Sequence, residues 1–334
     1  MRCDDQRHKS VGIVPAAVLT TVLFSGIFPS EAQTQHSSTF ERRLEVTAGG
    51  VFQLTNVSGD ITVTGTSGRF VRISGVKRVQ VANAAGAAAL LEFTVIEVET
   101  RSDSVGIRTR QPSVEEMQRA GNLERIPVSV TYSVEVPRDV RVNLRTTSGS
   151  IRVSGIEQDV NLETASGSIT TDSIGGSVSA GSVRGDITIS GTGRGVDSNT
   201  VSGDIVLTGV DDRIRATCVS GDITIRGGNL TEVWANNTGG NVYCEGAVGS
   251  GARYQLTSHS GDIEFVAGEG GGFRVSLSTV SGSISAPLEL TLTGTRTSRR
   301  SLTGVYRQPE ASVKLTTFSG NITLLTVPVP DRNE

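Results

Sequence analysis

The sequence predicts an all-β fold: a single-stranded β-solenoid, β-helix-like and right-handed, with about 18–21 residues per coil and an irregular N-terminal β segment. Three observations predict it. Gly149, Gly167, Gly185, Gly203 and Gly221 follow one another at steps of 18 residues, and Gly240, Gly261, Gly282 and Gly320 continue at steps of 19, 21, 21 and 38. Nine glycines in near-register signal a stacked repeat rather than isolated turns. Glycine makes up 40 of 334 residues, against a usual share of about 7%, and aromatic residues only 4%. Each glycine is also flanked on both sides by period-2 alternation of apolar and polar residues, the mark of a strand with one buried face.

Residues 1–32 read as a signal peptide. Arg2, Arg7 and Lys9 supply positive charge, Val11–Phe28 is apolar but interrupted by Pro15, and Ser30-Glu31-Ala32 is a small-x-small cleavage site. Cys3 leaves with this segment, and no later stretch is long and apolar enough to span a bilayer. The expected location is therefore outside the cytoplasm: periplasm, outer cell surface or secreted.

Residues 33–145 lack the strict period and are expected to form an N-terminal β segment that caps or begins the stack. It already carries one Ser58-Gly59-Asp60-Ile61 copy. Ala84–Leu91 is Ala-rich and suits a short helix, whereas Phe93–Val98, Val105–Arg110 and Val128–Val136 alternate like strands. Gln111–Asn122 is polar and reads as a loop.

Residues 146–326 hold the solenoid. Two positions after successive glycines stand Ile151, Ile169, Ile187, Ile205 and Ile223; before them, Val160/Leu162/Thr164 and Ile214/Ala216/Cys218 alternate inward. Each coil thus holds two short strands meeting at a Ser-Gly-Asp corner, where Gly supplies backbone freedom and Asp or Ser bonds nearby amides. Residues 285–318 read as a degenerate double-length coil with a hairpin, Leu288–Leu292 against Leu302–Tyr306, whose tip Thr295–Ser301 carries Arg296, Arg299 and Arg300. Residues 327–334 form a tail in which Pro328 and Pro330 end the ladder.

A net charge of −3 and a pI near 5.8 give no basic field, so nucleic acid is not an expected partner. With Cys3 removed, Cys218 and Cys244 face inward on different strands, and buried free thiols are expected ahead of a disulfide. The histidines outside the signal segment are His36, in a flexible start, and His259, alone at a corner, too few for a His-based triad or a multi-His zinc site. No cofactor is implied.

Three groups of residues are candidate sites. Asp186, Asp204 and Asp222 occupy one corner in consecutive coils; a cation ladder would relieve their repulsion, but solvated turn residues account for them as well. Trp234 should point outward beside Arg215, as a sugar platform, a protein contact or a simple cation–π pair. Arg296, Arg299 and Arg300 would suit an anionic envelope polymer, or serve only to solubilise a hairpin edge. Arg184-Gly185-Asp186 spells an adhesion tripeptide, yet it falls in the repeat register and reads as corner chemistry.

Over roughly residues 40–326 the chain resembles the bacterial DUF4097 family of β-strand-repeat proteins, often labelled candidate adhesins. The resemblance rests on Pro127–Ile151 (PVSVTYSVEVPRDVRVNLRTTSGSI), on the Ser-Gly-Asp-Ile copies, and on Ala286-Pro287-Leu288, Leu302-Thr303-Gly304 and Leu315–Ile322. It implies a β-helical fold and an envelope location, and it carries over no catalytic residue. The expected function is a non-catalytic exported envelope protein, an adhesin or a binding or scaffold module whose partner is envelope polysaccharide or protein. Two alternatives stand beside it: a β-helix enzyme acting on polysaccharide, with Asp and Arg or Lys clustered across adjacent coils, and a scaffold that self-assembles through its stack ends.

Overall fold

The computed structural model describes residues 19–20, 34–81, 84–119, 128–268, 270–287, 291–292 and 300–326. The chain divides into two compact units, residues 1–158 and 159–334. Both are built almost wholly from β-strands, and in the second the ladders are parallel except at one end.

The first unit contains β1 (Leu19–Thr20), β2 (Thr34–Glu45), β3 (Val51–Ser58), β4 (Ile61–Thr66) and β5 (Phe70–Val81). Helix α1 (Ala84–Phe93), β6 (Val95–Thr100), β7 (Ser104–Arg110) and α2 (Val114–Arg119) follow, then β8 (Ser129–Pro137), β9 (Arg141–Ser148) and β10 (Ile151–Ser154). One row of strands runs β1–β2–β5–β8–β4–β10, antiparallel as far as β8 and parallel beyond it. The other runs β6–β7–β3–β9. The Ser58-Gly59 corner is stacked directly on the Ser148-Gly149 corner, with Ser150 N donating to Asp60 Oδ1 at 2.8 Å.

Helix α1 forms where the Ala-rich run predicts it. It packs Ala87, Leu90 and Leu91 on Val79, Met117 and Val128. Lys77 Nζ donates to the carbonyls of Leu91 (3.1 Å) and Thr94 (2.5 Å), placing a cation at the negative end of the helix. Burial holds the Lys77 ammonium pKa below its ordinary value. The expected loop at Gln111–Asn122 instead contains α2. Its capping box was the missed signal: Glu116 N donates to Ser113 Oγ (3.2 Å), and Ser113 N donates to Glu116 Oε2 (2.8 Å). His36, expected in a flexible start, lies in β2 and is buried.

The second unit contains β11 (Val160–Ser166), β12 (Ile169–Ile174), β13 (Val178–Arg184), β14 (Ile187–Thr192) and β15 (Val196–Ser202). The long strands β16 (Ile205–Ser220), β17 (Ile223–Gly239) and β18 (Val242–Ser260) follow. Then come β19 (Ile263–Ala267), β20 (Gly272–Ser281), β21 (Ile284–Ser285), β22 (Thr291–Leu292), β23 (Ser301–Tyr306), β24 (Pro309–Ser319) and β25 (Ile322–Thr326). Each coil pairs in parallel with the next: Val160 opposite Val178 opposite Val196 opposite Ile214, and, past the corner, Ile169 opposite Ile187 opposite Ile205 opposite Ile223. The inward rows read from the sequence are the core, with Ile205, Ile214 and Ile223 each 0% exposed.

The corners carry two ladders of their own. Outside, Asp186 Oδ1 accepts from Asp204 N (2.9 Å), Asp204 Oδ1 from Asp222 N (2.8 Å) and Asp222 Oδ1 from Asn241 N (2.7 Å). Inside, at successive corners the residue three before the glycine donates to the glycine carbonyl of the neighbouring coil. Thr200 Oγ1 reaches Gly185 O at 3.2 Å, Cys218 Sγ reaches Gly203 O at 3.4 Å, and Asn237 Nδ2 reaches Gly221 O at 2.8 Å. Those carbonyls turn out of the ladder at the bend, so a buried side-chain donor replaces the missing partner. Gly203 itself has φ +135°, and a Cβ there would stand 2.4 Å from Gly185 O.

One expectation fails. Residues 285–318 are not a double-length coil, and the coils do not stack in sequence order. The pair β24/β25 lies between β18/β19 and β20/β21: Tyr254 is opposite Val313, which is opposite Val275, and Ile263 is opposite Ile322, which is opposite Ile284. Beyond β20 the ladder turns antiparallel with β23, which pairs with β22 as the expected hairpin. The chain therefore skips one slot, makes the outer coil and hairpin, and returns to fill the slot. The near-constant coil register permits this, because every coil presents the same corner and the same inward spacing to either neighbour.

Candidate functional site

Outward side chains of the strands before each corner form a grid whose rows run across the coils. Arg215, Trp234, Gln255 and Lys314 stand opposite one another in one row. Thr217, Asn236, Thr257 and Thr316 form the next. Val219, Thr238, His259 and Phe318 form the third, next to the corner, by the same register. These twelve positions hold two permanent cations and no carboxylate. Strand alternation puts all of them on the face opposite the core residues Ala216, Ala235, Leu256 and Leu315.

The grid has two aromatic ends. The Arg215 guanidinium lies over the Trp234 ring, 4.8 Å from its centroid. Trp234 is half-buried and Arg215 exposed, as the register predicts. At the other end His259 and Phe318 stack with centroids 5.0 Å apart and planes 8° from parallel. Phe318 is 52% exposed. Around that second end, in the second and third rows, lies a shallow depression of about 230 Å³ lined by Asn236, Thr238, Thr257, His259, Val280 and Phe318, among others. In sequence order the next residue of this row after His259 is Val280, so His259 reads as alone; the returning strand β24 puts Phe318 beside it instead.

The third row continues across the other coils as a line of exposed valines. Val183, Val201 and Val219 are 45–50% exposed, and Val280 is 53% exposed. This line sits beside the corner carboxylates of Asp186, Asp204 and Asp222, each of which has its neighbour in the row to bond.

The structure places the other candidates as follows. Asp186, Asp204 and Asp222 do line one corner; Asp186 and Asp204 each accept the next residue's amide in the row, and Asp222 accepts that of Asn241. Among the described residues no group of three or more His, Cys, Asp or Glu could hold a metal ion. Arg184-Gly185-Asp186 forms one such corner, with Gly185 at φ +146°. Arg296 and Arg299 lie outside the described residues. Arg300 is exposed, and its carbonyl accepts from Thr279 N at 2.9 Å. Cys218 and Cys244 are free and buried, and burial raises both thiol pKa values.

On the strands after the corner a smaller polar cluster faces out. Tyr243 Oη donates to Glu245 Oε2 at 2.8 Å, and Arg226 bridges to Glu245 at 3.6 Å while lying over the Tyr243 ring. Burial, then the Glu245 hydrogen bond, raises the Tyr243 pKa. The cluster pairs its own charges, whereas in the first row Arg215 has Asp197 as its cross-strand neighbour and Lys314 stands between Gln255 and Ser276.

No curated protein matches the chain. Among solved structures it is similar to a candidate adhesin from Bacteroides fragilis, with 14% identity over 90% of this chain and 100% of that one and a TM-score of 0.34. A candidate cell adhesion protein from Clostridium sporogenes gives 11% identity over 86% and 100%, TM-score 0.23. A candidate lipid binding protein from Parabacteroides distasonis gives 13% identity over 86% and 96%, TM-score 0.30. The sequence model of the Toastrack DUF4097 family matches residues 36–226 and 213–325, which together span most of the chain and include the corner repeat, the outward grid and the returning β24/β25 coil. The chain belongs to the Toastrack DUF4097 family.

Proposed function

We propose that this protein is an exported, non-catalytic binding module of the bacterial envelope, and that it engages its partner through the outward grid of its second unit. The observation that carries the reading is the grid itself. Aromatic, amide, hydroxyl and cationic side chains stand in register on a parallel ladder whose other face is a closed apolar core. Such a surface is already ordered before a partner arrives, so little side-chain entropy is lost on contact. An aromatic anchor beside an arginine is the composition that concentrates binding energy.

Residues 1–32 direct export and are removed after Ala32, residues 33–145 cap the stack, residues 146–326 wind as a right-handed solenoid, and residues 327–334 end it. The corner carboxylates act as hydrogen-bond acceptors within the stack rather than as catalytic groups. Arg296, Arg299 and Arg300 add positive charge at the hairpin tip.

Immobilised mature protein should retain material from bacterial envelope fractions, and the double substitution Trp234→Ala with Phe318→Ala should abolish retention without altering the far-ultraviolet spectrum. Retention unchanged by that pair of substitutions would overturn the reading.

A further inference from the structure

We infer that the outward grid binds an acidic polysaccharide, laid across the strands with successive sugar rings over successive coils. The inference rests on the binding-module reading above and names the ligand chemistry of the same surface.

The first ground is composition. Sugar rings present apolar faces of C–H groups and edges of hydroxyls. The half-buried indole of Trp234, with Arg215 over one face, and the outer parts of the His259–Phe318 stack supply aromatic surface for them. Between them stand Gln255, Asn236, Thr257 and Thr316, whose amides and hydroxyls both donate and accept. A protein partner would favour larger apolar anchors at the centre of the patch, and here the centre is uncharged and polar.

The second ground is charge. Arg215 and Lys314 flank Trp234 and Gln255 in the first row, which runs on to Asp197 opposite Arg215 and to Ser276 opposite Lys314. No carboxylate interrupts the twelve positions. The one carboxylate of that row next to the grid is Asp197, beside Arg215, so the cationic character is greatest toward Lys314. Carboxylates carried by the sugar rings complement it, Arg215 in bidentate fashion and Lys314 as a point charge.

The third ground is spacing. Strands repeat at about 4.8 Å across a ladder. One sugar ring in an extended chain advances by a comparable length. A polymer running along the row from Arg215 to Lys314 therefore meets one outward side chain per coil, Arg215, Trp234, Gln255 and Lys314 in turn, and its affinity accumulates over several weak contacts. The shallow depression of about 230 Å³ lies beside this row, at Asn236, Thr257 and the His259–Phe318 stack, where a side group of the polymer can rest.

The test is calorimetric titration of the full-length mature protein with polygalacturonate, with neutral dextran, and with single-stranded DNA as an anionic polymer that lacks sugar-face C–H plates in the same arrangement. Polygalacturonate should bind and dextran and DNA should not. Trp234→Ala should weaken binding about tenfold, corresponding to the lost stacking of one ring. Lys314→Gln should weaken it several-fold and flatten its dependence on salt. Both positions face outward, and unchanged thermal unfolding of each variant confirms that the fold is kept. Equal binding of dextran, preference for DNA, absence of polygalacturonate binding, or binding indifferent to Trp234→Ala would each overturn the inference. If polygalacturonate fails while envelope retention still depends on Trp234 and Phe318, the sugar inference falls and the binding-module reading stands. If retention also ignores those residues, both fall.

Discussion

Replacing Gly203 by alanine tests the corner argument directly. Gly203 has φ +135°, a region that costs a residue with a Cβ about 1–3 kcal/mol. The added Cβ would also stand 2.4 Å from Gly185 O, 2.6 Å from Gly185 C and 2.9 Å from Asp186 Oδ1. Two of these three atoms are backbone of the adjacent coil, so relief requires moving that coil, at a further 1–3 kcal/mol or so typical of overpacking. The expected loss is about 4 kcal/mol, a large part of the roughly 5–15 kcal/mol that holds an ordinary domain. Gly181→Ala is the matched control: it has ordinary φ, faces outward, and its Cβ would meet only the end of the Asn199 side chain, at 3.2 Å. There alanine should be neutral or stabilising by about 0.5 kcal/mol, since it lowers the entropy of the unfolded chain. Urea unfolding followed by circular dichroism gives both values. If the two variants unfold within about 1 kcal/mol of each other, the corner does not depend on glycine as described.

Further outcomes are expected. Ile205→Asp, at a position 0% exposed, should prevent folding, whereas Asn199→Asp on the outward face should leave the melting curve unchanged; equal damage in circular dichroism melts would refute the register. Thr200→Val should cost about 1–2 kcal/mol in urea unfolding by leaving the Gly185 carbonyl without its donor, while Cys218→Thr should be neutral or mildly stabilising because a hydroxyl donates better than a thiol. Arg110 and the Ser113 amide hold the Glu116 carboxyl pKa down to about 2. A lowered folded pKa means that the stabilisation is complete above the ordinary carboxylate range and is lost as pH falls through about 2; a carboxyl-carbon NMR titration with an ordinary midpoint would refute the pairing. Neither Cys218 nor Cys244 should react with a thiol reagent in the native protein, and both should react after unfolding.

The coil was legible because its chemistry is local. A glycine that must bend, an acceptor beside it and an isoleucine two residues on recur within one short segment, so Gly203-Asp204-Ile205 announces itself. The inward placement of Cys218 followed from counting by two. The donor role of Thr200, Cys218 and Asn237 did not, because it depends on a carbonyl in the neighbouring coil that only the stacked geometry reveals. In Thr34–Thr39 the alternation was hidden by polar residue types: His36 and Ser38 face inward just before Phe40. The capping box Ser113/Glu116 was present in the sequence and outweighed by the polarity of its surroundings. For the candidate site, the outward placement of Trp234 and its pairing with Arg215 were legible. The His259–Phe318 stack was not, since these residues are neighbours only through the exchange of stacking order. Parallel coils with a common register are interchangeable as partners, so periodicity states what each coil looks like and is silent on which coil lies beside which.

That exchange bears on how the molecule assembles in time. As the chain emerges, β20/β21 arrives before β24/β25, and the open edge of β18/β19 already presents a matching register to it. The slot between β18/β19 and β20/β21 is filled by the segment made last. Simple repeat stacks add units at a free edge; here the last addition threads between two edges and seals both. Once seated, β24/β25 cannot peel away like a terminal coil, because leaving breaks parallel ladders on two sides at once. The penultimate slab acts as a bolt held from two sides, and it gives a stack of otherwise similar coils a defined end.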